Sequence, residues 1–150
     1  EGTPSPDSIL ESAKALRAQF PGGAKWNVMG FSLGGATALA FAAHQGVAKA
    51  VIISTVTSIR GMVQRVVGQY LSWLPMSHNF DNRANLRKIR NEKKVSEMHL
   101  LHGDLDQVVP VHMGHELHNE FYDILHYHEI PGAGHTDMLS KCWSTLSMFI

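Results

Sequence analysis

Trp26-Asn27-Val28-Met29-Gly30-Phe31-Ser32-Leu33-Gly34-Gly35-Ala36-Thr37-Ala38 decides the fold. Trp26 to Met29 reads as a short strand. Leu33 to His44 is Ala-rich and apolar and reads as a helix, with Gly46 as its C-terminal stop. Between them stands Gly30-Phe31-Ser32-Leu33-Gly34, a Gly-x-Ser-x-Gly in a strand–turn–helix context. To expose its hydroxyl at the top of a sheet, Ser32 must take a strained backbone conformation. Strand and helix then approach closely, so the residues two before and two after are expected to be small. Gly30 and Gly34 meet that condition, and Gly35, Ala36 and Ala38 extend it along the helix. A helix N-terminus also aims unpaired N–H groups and a positive dipole end at the turn. The Leu33 N–H is therefore the natural donor to a developing oxyanion.

Outward from this turn, strand and helix patterns alternate. Asp7 or Ser8 is expected to cap a helix reaching about Phe20, with Ile9, Ala13, Leu16 and Phe20 at helical spacing, ended by Pro21-Gly22-Gly23. Ala50-Val51-Ile52-Ile53-Ser54 reads as a strand buried on both faces. Met62 to Tyr70 reads as helical, broken by Trp73-Leu74-Pro75. Asn82 to Lys94, rich in Arg and Lys, reads as a solvated surface turn and helix. Met98 to Leu101 is the next strand and His112 to Phe121 the next helix. Ile124 to Ile130 is the last strand, and Met138 to Ile150 a terminal helix. The expected class is α/β with a mostly parallel sheet and flanking helices.

Composition bounds the rest. With 150 residues the chain is expected to be a single domain over 1–150. Hydrophobic residues at 44% and charged residues at 17% describe a globular chain. Thirteen basic residues balance thirteen acidic ones, so no basic field invites nucleic acid. Nor does any apolar run approach the roughly 18 residues of a membrane-spanning helix. Peripheral membrane contact stays compatible with this balance. A single cysteine, Cys142, excludes an intrachain disulfide and a Cys-rich zinc site.

A serine nucleophile needs a base, and the base an orienting carboxylate. On a parallel sheet these belong at the C-terminal ends of strands, in the order Ser, acid, His. The strand ending at Leu101 runs into His102-Gly103-Asp104-Leu105-Asp106-Gln107-Val108-Val109-Pro110. The strand ending at Ile130 runs into Pro131-Gly132-Ala133-Gly134-His135. Asp104 comes early in its turn, where Asp commonly satisfies backbone N–H groups. Asp106 is therefore the expected acid. His135 lies in a Gly-rich loop whose small neighbours let its ring reach the serine.

These residues together resemble the α/β-hydrolase superfamily. The resemblance rests on Gly30-Phe31-Ser32-Leu33-Gly34-Gly35, on His102-Gly103-x-x-Asp106-x-x-Val109-Pro110, and on Pro131-Gly132-Ala133-Gly134-His135-Thr136-Asp137. Within it the chain is most similar to the serine-aminopeptidase-like branch that includes depalmitoylase-type acyl-protein thioesterases. Phe80-Asp81-Asn82 with Leu86-Arg87-Lys88-Ile89, and Thr55 to Ser58, share in that likeness. The resemblance implies Ser32 as nucleophile, Asp106 as acid, His135 as base and the Leu33 N–H as one oxyanion donor. It implies chemistry without cofactor or metal, on a small-molecule ester or an acylated protein. Peptidase or carboxylesterase activity is the alternative within the enzyme class. A truncated, non-catalytic binding domain is the alternative outside it.

A βαβ unit takes about 30 residues, so a sheet of about eight strands needs roughly 240. This sequence holds about four strands. It is expected to correspond to the C-terminal part of such a domain, with the Trp26–Met29 strand at an open edge. The early strands and the loop that donates the second oxyanion N–H have no counterpart in the sequence. His112, His115 and His118 recur on one predicted helix as a solvated face rather than a metal site. His126 and His128 share one side of a strand, as surface or sheet packing. Cys142 is expected to pack inertly. Tyr70, Leu71, Trp73, Leu74 and Met76 carry two readings, core or cap packing and the border of an acyl-chain pocket.

Overall fold

The computed structural model describes residues 5–20, 25–62 and 80–149. The element order is α1 (Pro6–Gln19), β1 (Asn27–Phe31), α2 (Leu33–Gln45), β2 (Val47–Ile53), α3 (Asn82–Glu92), β3 (Val95–Gly103), α4 (Val111–Phe121), β4 (His126–Ile130), α5 (Met138–Lys141) and α6 (Trp143–Leu146). The four strands form one sheet in the order β1-β2-β3-β4, every pair parallel. This is the expected α/β architecture, and β1 is an end strand among the described residues.

Residue parity along the strands sends side chains alternately to two cores. Ala50, Ile52, Met98 and Leu100 pack with Leu39, Leu86, Ile89, Leu117 and Phe121 of α2, α3 and α4. Val51, Ile53, Leu101 and Ile130 face the other way, onto Met138, Cys142 and Leu146. A strand order that always advances in one direction places crossover helices of one hand on one face. The C-terminal helices cover the opposite face. Each fully buried Ile or Leu of β2 and β3 contributes roughly 1.5–3 kcal/mol of transfer free energy, and that is why Val51-Ile52-Ile53 is apolar without alternation.

Several element boundaries differ from the sequence reading. Helix α1 is capped by Ser5 rather than Asp7 or Ser8. The Ser5 hydroxyl accepts from the Ser8 N–H, and the Ser8 hydroxyl accepts from the Ser5 N–H. Strand β2 begins at Val47, whose N–H bonds the Lys94 carbonyl and which pairs with Val95 in the parallel ladder. Lys49 within it pairs through its ammonium with the Phe149 carbonyl and Glu97. Strand β4 begins at His126, since the N–H groups of Ile124 and Leu125 still bond the Phe121 carbonyl. The terminal helix is two short helices, interrupted at Cys142, where ψ is 0°.

Helix α3 is not simply solvated. Leu86 and Ile89 are buried, and Asn82 at its start is fully buried. Its charged face meets α4, where Arg83 pairs with Glu116 and Glu120, and Arg87 with Glu120. The expected Met62–Tyr70 helix beyond Met62, the break at Trp73-Leu74-Pro75 and the apolar cluster from Tyr70 to Met76 lie outside the described residues.

Candidate active site

Ser32 stands between β1 and α2 at φ 56° and ψ −120°. That is the left-handed side of backbone space, where a non-glycine residue costs of order 1–3 kcal/mol. Backbone hydrogen bonds anchor it on both sides. Its N–H donates to the Ile53 carbonyl at 2.8 Å, and its carbonyl accepts from the Gly35 N–H at 3.0 Å. A serine at a helix N-cap ordinarily turns its oxygen onto the first-turn N–H groups. Ser32 makes no such bond. Its hydroxyl instead donates to Nε2 of His135 at 3.1 Å.

The close approach that this turn requires falls on Gly30 and Gly35. A Cβ on Gly30 would stand 2.1 Å from the Gly34 carbonyl oxygen. One on Gly35 would stand 3.0 Å from Thr55 and 3.1 Å from Ile52. The expectation that Gly34 must be small for the same reason does not hold. Among the described residues, a Cβ there meets nothing within 4 Å.

His135 comes from the loop after β4 and Asp106 from the turn after β3. The Nδ1–H of His135 donates to Asp106 Oδ2 at 2.8 Å. The other carboxylate oxygen accepts the N–H groups of Val108 and Val109, at 3.0 and 2.8 Å. The Asp106 side chain is fully buried. Asp104 does what an early turn aspartate does, taking the Gly132 N–H at 2.7 Å. That bond, with the Leu105 N–H on the Ala133 carbonyl, ties the acid turn to the histidine loop. Gly103 lets them touch, since a Cβ there would lie 2.2 Å from the Ala133 carbonyl oxygen. Ser32, His135 and Asp106 thus form one hydrogen-bonded row across the C-terminal ends of β1, β4 and β3.

Further residues surround this row that the motifs alone do not reveal. The Phe31 ring lies against His135, with ring centroids 4.8 Å apart. His102, fully buried, donates from Nε2 to the Val109 carbonyl at 2.8 Å and stands 3.8 Å from Asp106 Oδ2. Burial pushes its pKa down, against the opposing pull of that backbone bond and of Asp106. Behind Ser32, the Thr55 hydroxyl reaches the Ser32 carbonyl at 3.1 Å. The Asn82 amide holds Thr55 in turn. Thr55 and Asn82 fall in stretches that the sequence resemblance touches, but no spacing rule marks them.

The remaining candidates are occupied elsewhere. His115 pairs with Glu129, and the His118 ring nitrogen meets the Leu125 carbonyl. His126 and His128 pack around His99 on the far face, beside the Phe149 ring. Cys142 is buried, and burial pushes its thiol pKa up. Among the described residues no cluster of three or more His, Cys, Asp or Glu could hold a metal ion. No helix of the described residues is long and apolar enough to cross a membrane.

Neither a protein-family model nor a curated protein matches the sequence. Solved structures do match the fold. The chain superposes on the esterase domain of a Rhodothermus marinus protein with a TM-score of 0.66 and 19% identity, covering 98% of this chain and 68% of that one. On a meta-cleavage product hydrolase from Pseudomonas fluorescens IP01 the TM-score is 0.66 at 16% identity, with 99% and 71% covered. On a carboxylesterase of the thaumarchaeon Nitrososphaera gargenis it is 0.69 at 13% identity, again with 99% and 71% covered. At these identities the likeness is one of fold. The fold is that of the α/β hydrolases, and this chain spans about seven tenths of each of those proteins' lengths.

Proposed function

We propose that this chain is a serine hydrolase that cleaves an ester or thioester through an acyl-enzyme. Ser32 is the nucleophile, His135 the general base and then the general acid, and Asp106 the group that orients the imidazole. The reading is carried by one observation. Ser32 Oγ is 3.1 Å from His135 Nε2, while Nδ1 of the same ring is 2.8 Å from a buried Asp106. With Nδ1–H committed to the carboxylate, neutral His135 presents its lone pair at Nε2 to the serine proton.

In the first half-reaction Ser32 Oγ attacks the carbonyl carbon while its proton passes to Nε2. The carbonyl oxygen gathers negative charge, and in this reading the Leu33 N–H at the start of α2 donates to it. The tetrahedral intermediate collapses, and the imidazolium returns the proton to the departing alcohol or thiol. Water then repeats the sequence on the acyl-enzyme. None of these steps calls for a cofactor.

An acylated protein is the substrate class that the sequence resemblance favours. Leu33 and Leu105, each adjacent in sequence to a member of the row, are more than half exposed, and Val108 is half exposed. Exposed apolar side chains so near the row in sequence support an apolar acyl group over a charged one. The test is labelling of the chain with a fluorophosphonate, followed by peptide mass mapping and a panel of long-chain and short-chain thioester and ester probes. An adduct on Ser32 that disappears in His135→Ala is the expected result. An adduct elsewhere, or none, overturns the assignment and favours a non-catalytic binding domain. Preference for short-chain oxygen esters would redirect the substrate class and leave the nucleophile in place.

A further inference from the structure

The carbonyl of Ser32 and the N–H of Leu33 belong to one peptide unit. That unit is planar and trans, so the two groups point in opposite directions. Whatever fixes the carbonyl oxygen therefore fixes the direction of the N–H. The oxygen is gripped from inside the fold by the Thr55 hydroxyl at 3.1 Å, alongside the Gly35 N–H at 3.0 Å and the longer Ala36 N–H at 3.4 Å.

The direction of the Thr55 bond follows from its neighbour. Asn82 has a nitrogen 2.7 Å from the Val56 carbonyl oxygen, which only accepts, so the amide NH₂ faces that way. The same nitrogen lies 3.2 Å from Thr55 Oγ1. Thr55 thus accepts an N–H from Asn82, and its own proton goes to Ser32. Both Thr55 and Asn82 are 0% exposed. This arrangement comes at a cost, because Asn82 Oδ1 is buried without a hydrogen-bond partner among the described residues. An unsatisfied buried acceptor costs roughly 1–3 kcal/mol. Polar groups kept at such expense are expected where geometry matters more than stability.

We infer that Thr55, held by Asn82, is a positioning residue that aims the Leu33 N–H at the oxygen of the reacting carbonyl. The inference rests on the serine-hydrolase reading above. In this role Thr55, buried beneath Ser32, need not contact substrate. It acts by holding a peptide plane that Ser32, at φ 56°, would otherwise tend to relax.

Acylation of Ser32 by p-nitrophenyl acetate and by the matching thionoester distinguishes this role from a structural one. In the thionoester, sulfur sits where the oxyanion would form, and sulfur is a weak acceptor that gains little from an N–H donor. Thr55→Val is expected to slow acylation by the oxygen ester about ten- to a hundredfold, and to change the thionoester rate by no more than about twofold. Thr55→Ser loses a buried methyl but keeps the hydroxyl, so it should hold both rates near wild type. Asn82→Ala should slow the oxygen ester by a smaller factor than Thr55→Val and likewise spare the thionoester. Equal losses on both substrates, or Thr55→Ser as slow as Thr55→Val, would overturn the inference. If Thr55→Val does not fold, Asn82→Ala and Thr55→Ser still separate the outcomes. Fluorophosphonate labelling of the wild-type chain keeps the two readings apart. Labelled Ser32 with unaltered variants sinks only the positioning role, whereas an unlabelled wild-type chain sinks the nucleophile assignment as well.

Discussion

The Nδ1–H of His135 donates to Asp106 across 2.8 Å, and the carboxylate it meets is sealed from solvent. Asp106 is held on its far side by two backbone N–H groups, so it cannot swing to follow the ring. The imidazole is therefore fixed by a part of the chain that is itself fixed, and Ser32 at the other end of the row is half-buried. A charge-assisted bond in such a dry site is stronger than the same bond at the surface.

Asp106→Asn is expected to lower kcat by about 10³–10⁴, because an amide in that place can favour the wrong imidazole tautomer. Asp104→Asn should cost less than about tenfold, since an asparagine oxygen can still take the Gly132 N–H. Ester turnover by the two variants checks the ranking. The reverse order would move the acid to Asp104.

Ser32→Ala and His135→Ala should each cost several orders of magnitude, and the double variant should be little worse than either alone. Groups that act as one unit lose their whole effect when any member is removed. Turnover of an activated ester by the three variants measures this. Multiplicative losses would show that Ser32 and His135 act separately, despite their 3.1 Å contact.

The sheet and the row were largely legible in the sequence, because each part is tied to a local physical demand. Val51-Ile52-Ile53 had to be apolar to be buried twice, and Asp106 and His135 had to follow strands to reach Ser32. What escaped were features that depend on partners distant in the chain. In the sequence the strand reads from Ala50, one residue past Lys49, whose ammonium is taken up by Phe149 and Glu97 from far along the chain. Helix α3 reads as solvated because Arg83 and Arg87 dominate its composition, and their acidic partners lie about 30 residues away. Gly34 is half of the motif that identifies the turn, yet no described residue lies within 4 Å of where its Cβ would be. Thr55 and Asn82 owe their place to a peptide carbonyl, and no side-chain pattern encodes that.

His102 gives a pH dependence with a definite sign. Burial lowers its pKa in the folded chain, while the Val109 carbonyl and Asp106 pull it up and His115 and His135 oppose protonation. The unfolded chain therefore binds the proton more readily, and stability rises with pH through the window just below 6.5. His128, lowered by burial and by His99 and His126, adds in the same direction. Acidification from about pH 7 to 5 should thus destabilise the fold, each such histidine contributing at most about 1.4 kcal/mol per pH unit. Urea unfolding at several pH values measures the slope. His102→Gln should flatten it, and an unchanged slope would mean that His102 titrates no differently in the two states.

The three glycines of the turn should separate by what each would touch. None of Gly30, Gly34 and Gly35 has a positive φ, so the demand on them is steric, and the strained backbone is carried by Ser32. A methyl on Gly30 would enter the backbone of α2, at 2.1 Å from the Gly34 carbonyl oxygen and 2.7 Å from the Gly35 nitrogen. Backbone cannot rotate aside as a side chain can, so β1 and α2 would have to part. Gly30→Ala is expected to cost about 3 kcal/mol or more, or to abolish folding. Gly35→Ala meets Thr55 and Ile52 at 3.0–3.1 Å, side chains that can give a few tenths of an ångström. It should fold with a loss of about 1–2 kcal/mol. Gly34→Ala meets none of the described residues within 4 Å and sits in a helical turn, so it should be neutral, or stabilising by up to about 1 kcal/mol. Thermal and urea unfolding of the three variants gives the order. If Gly34→Ala proved as damaging as Gly30→Ala, the close approach would lie on the other side of the serine, and the packing of α2 on β1 described above would be wrong.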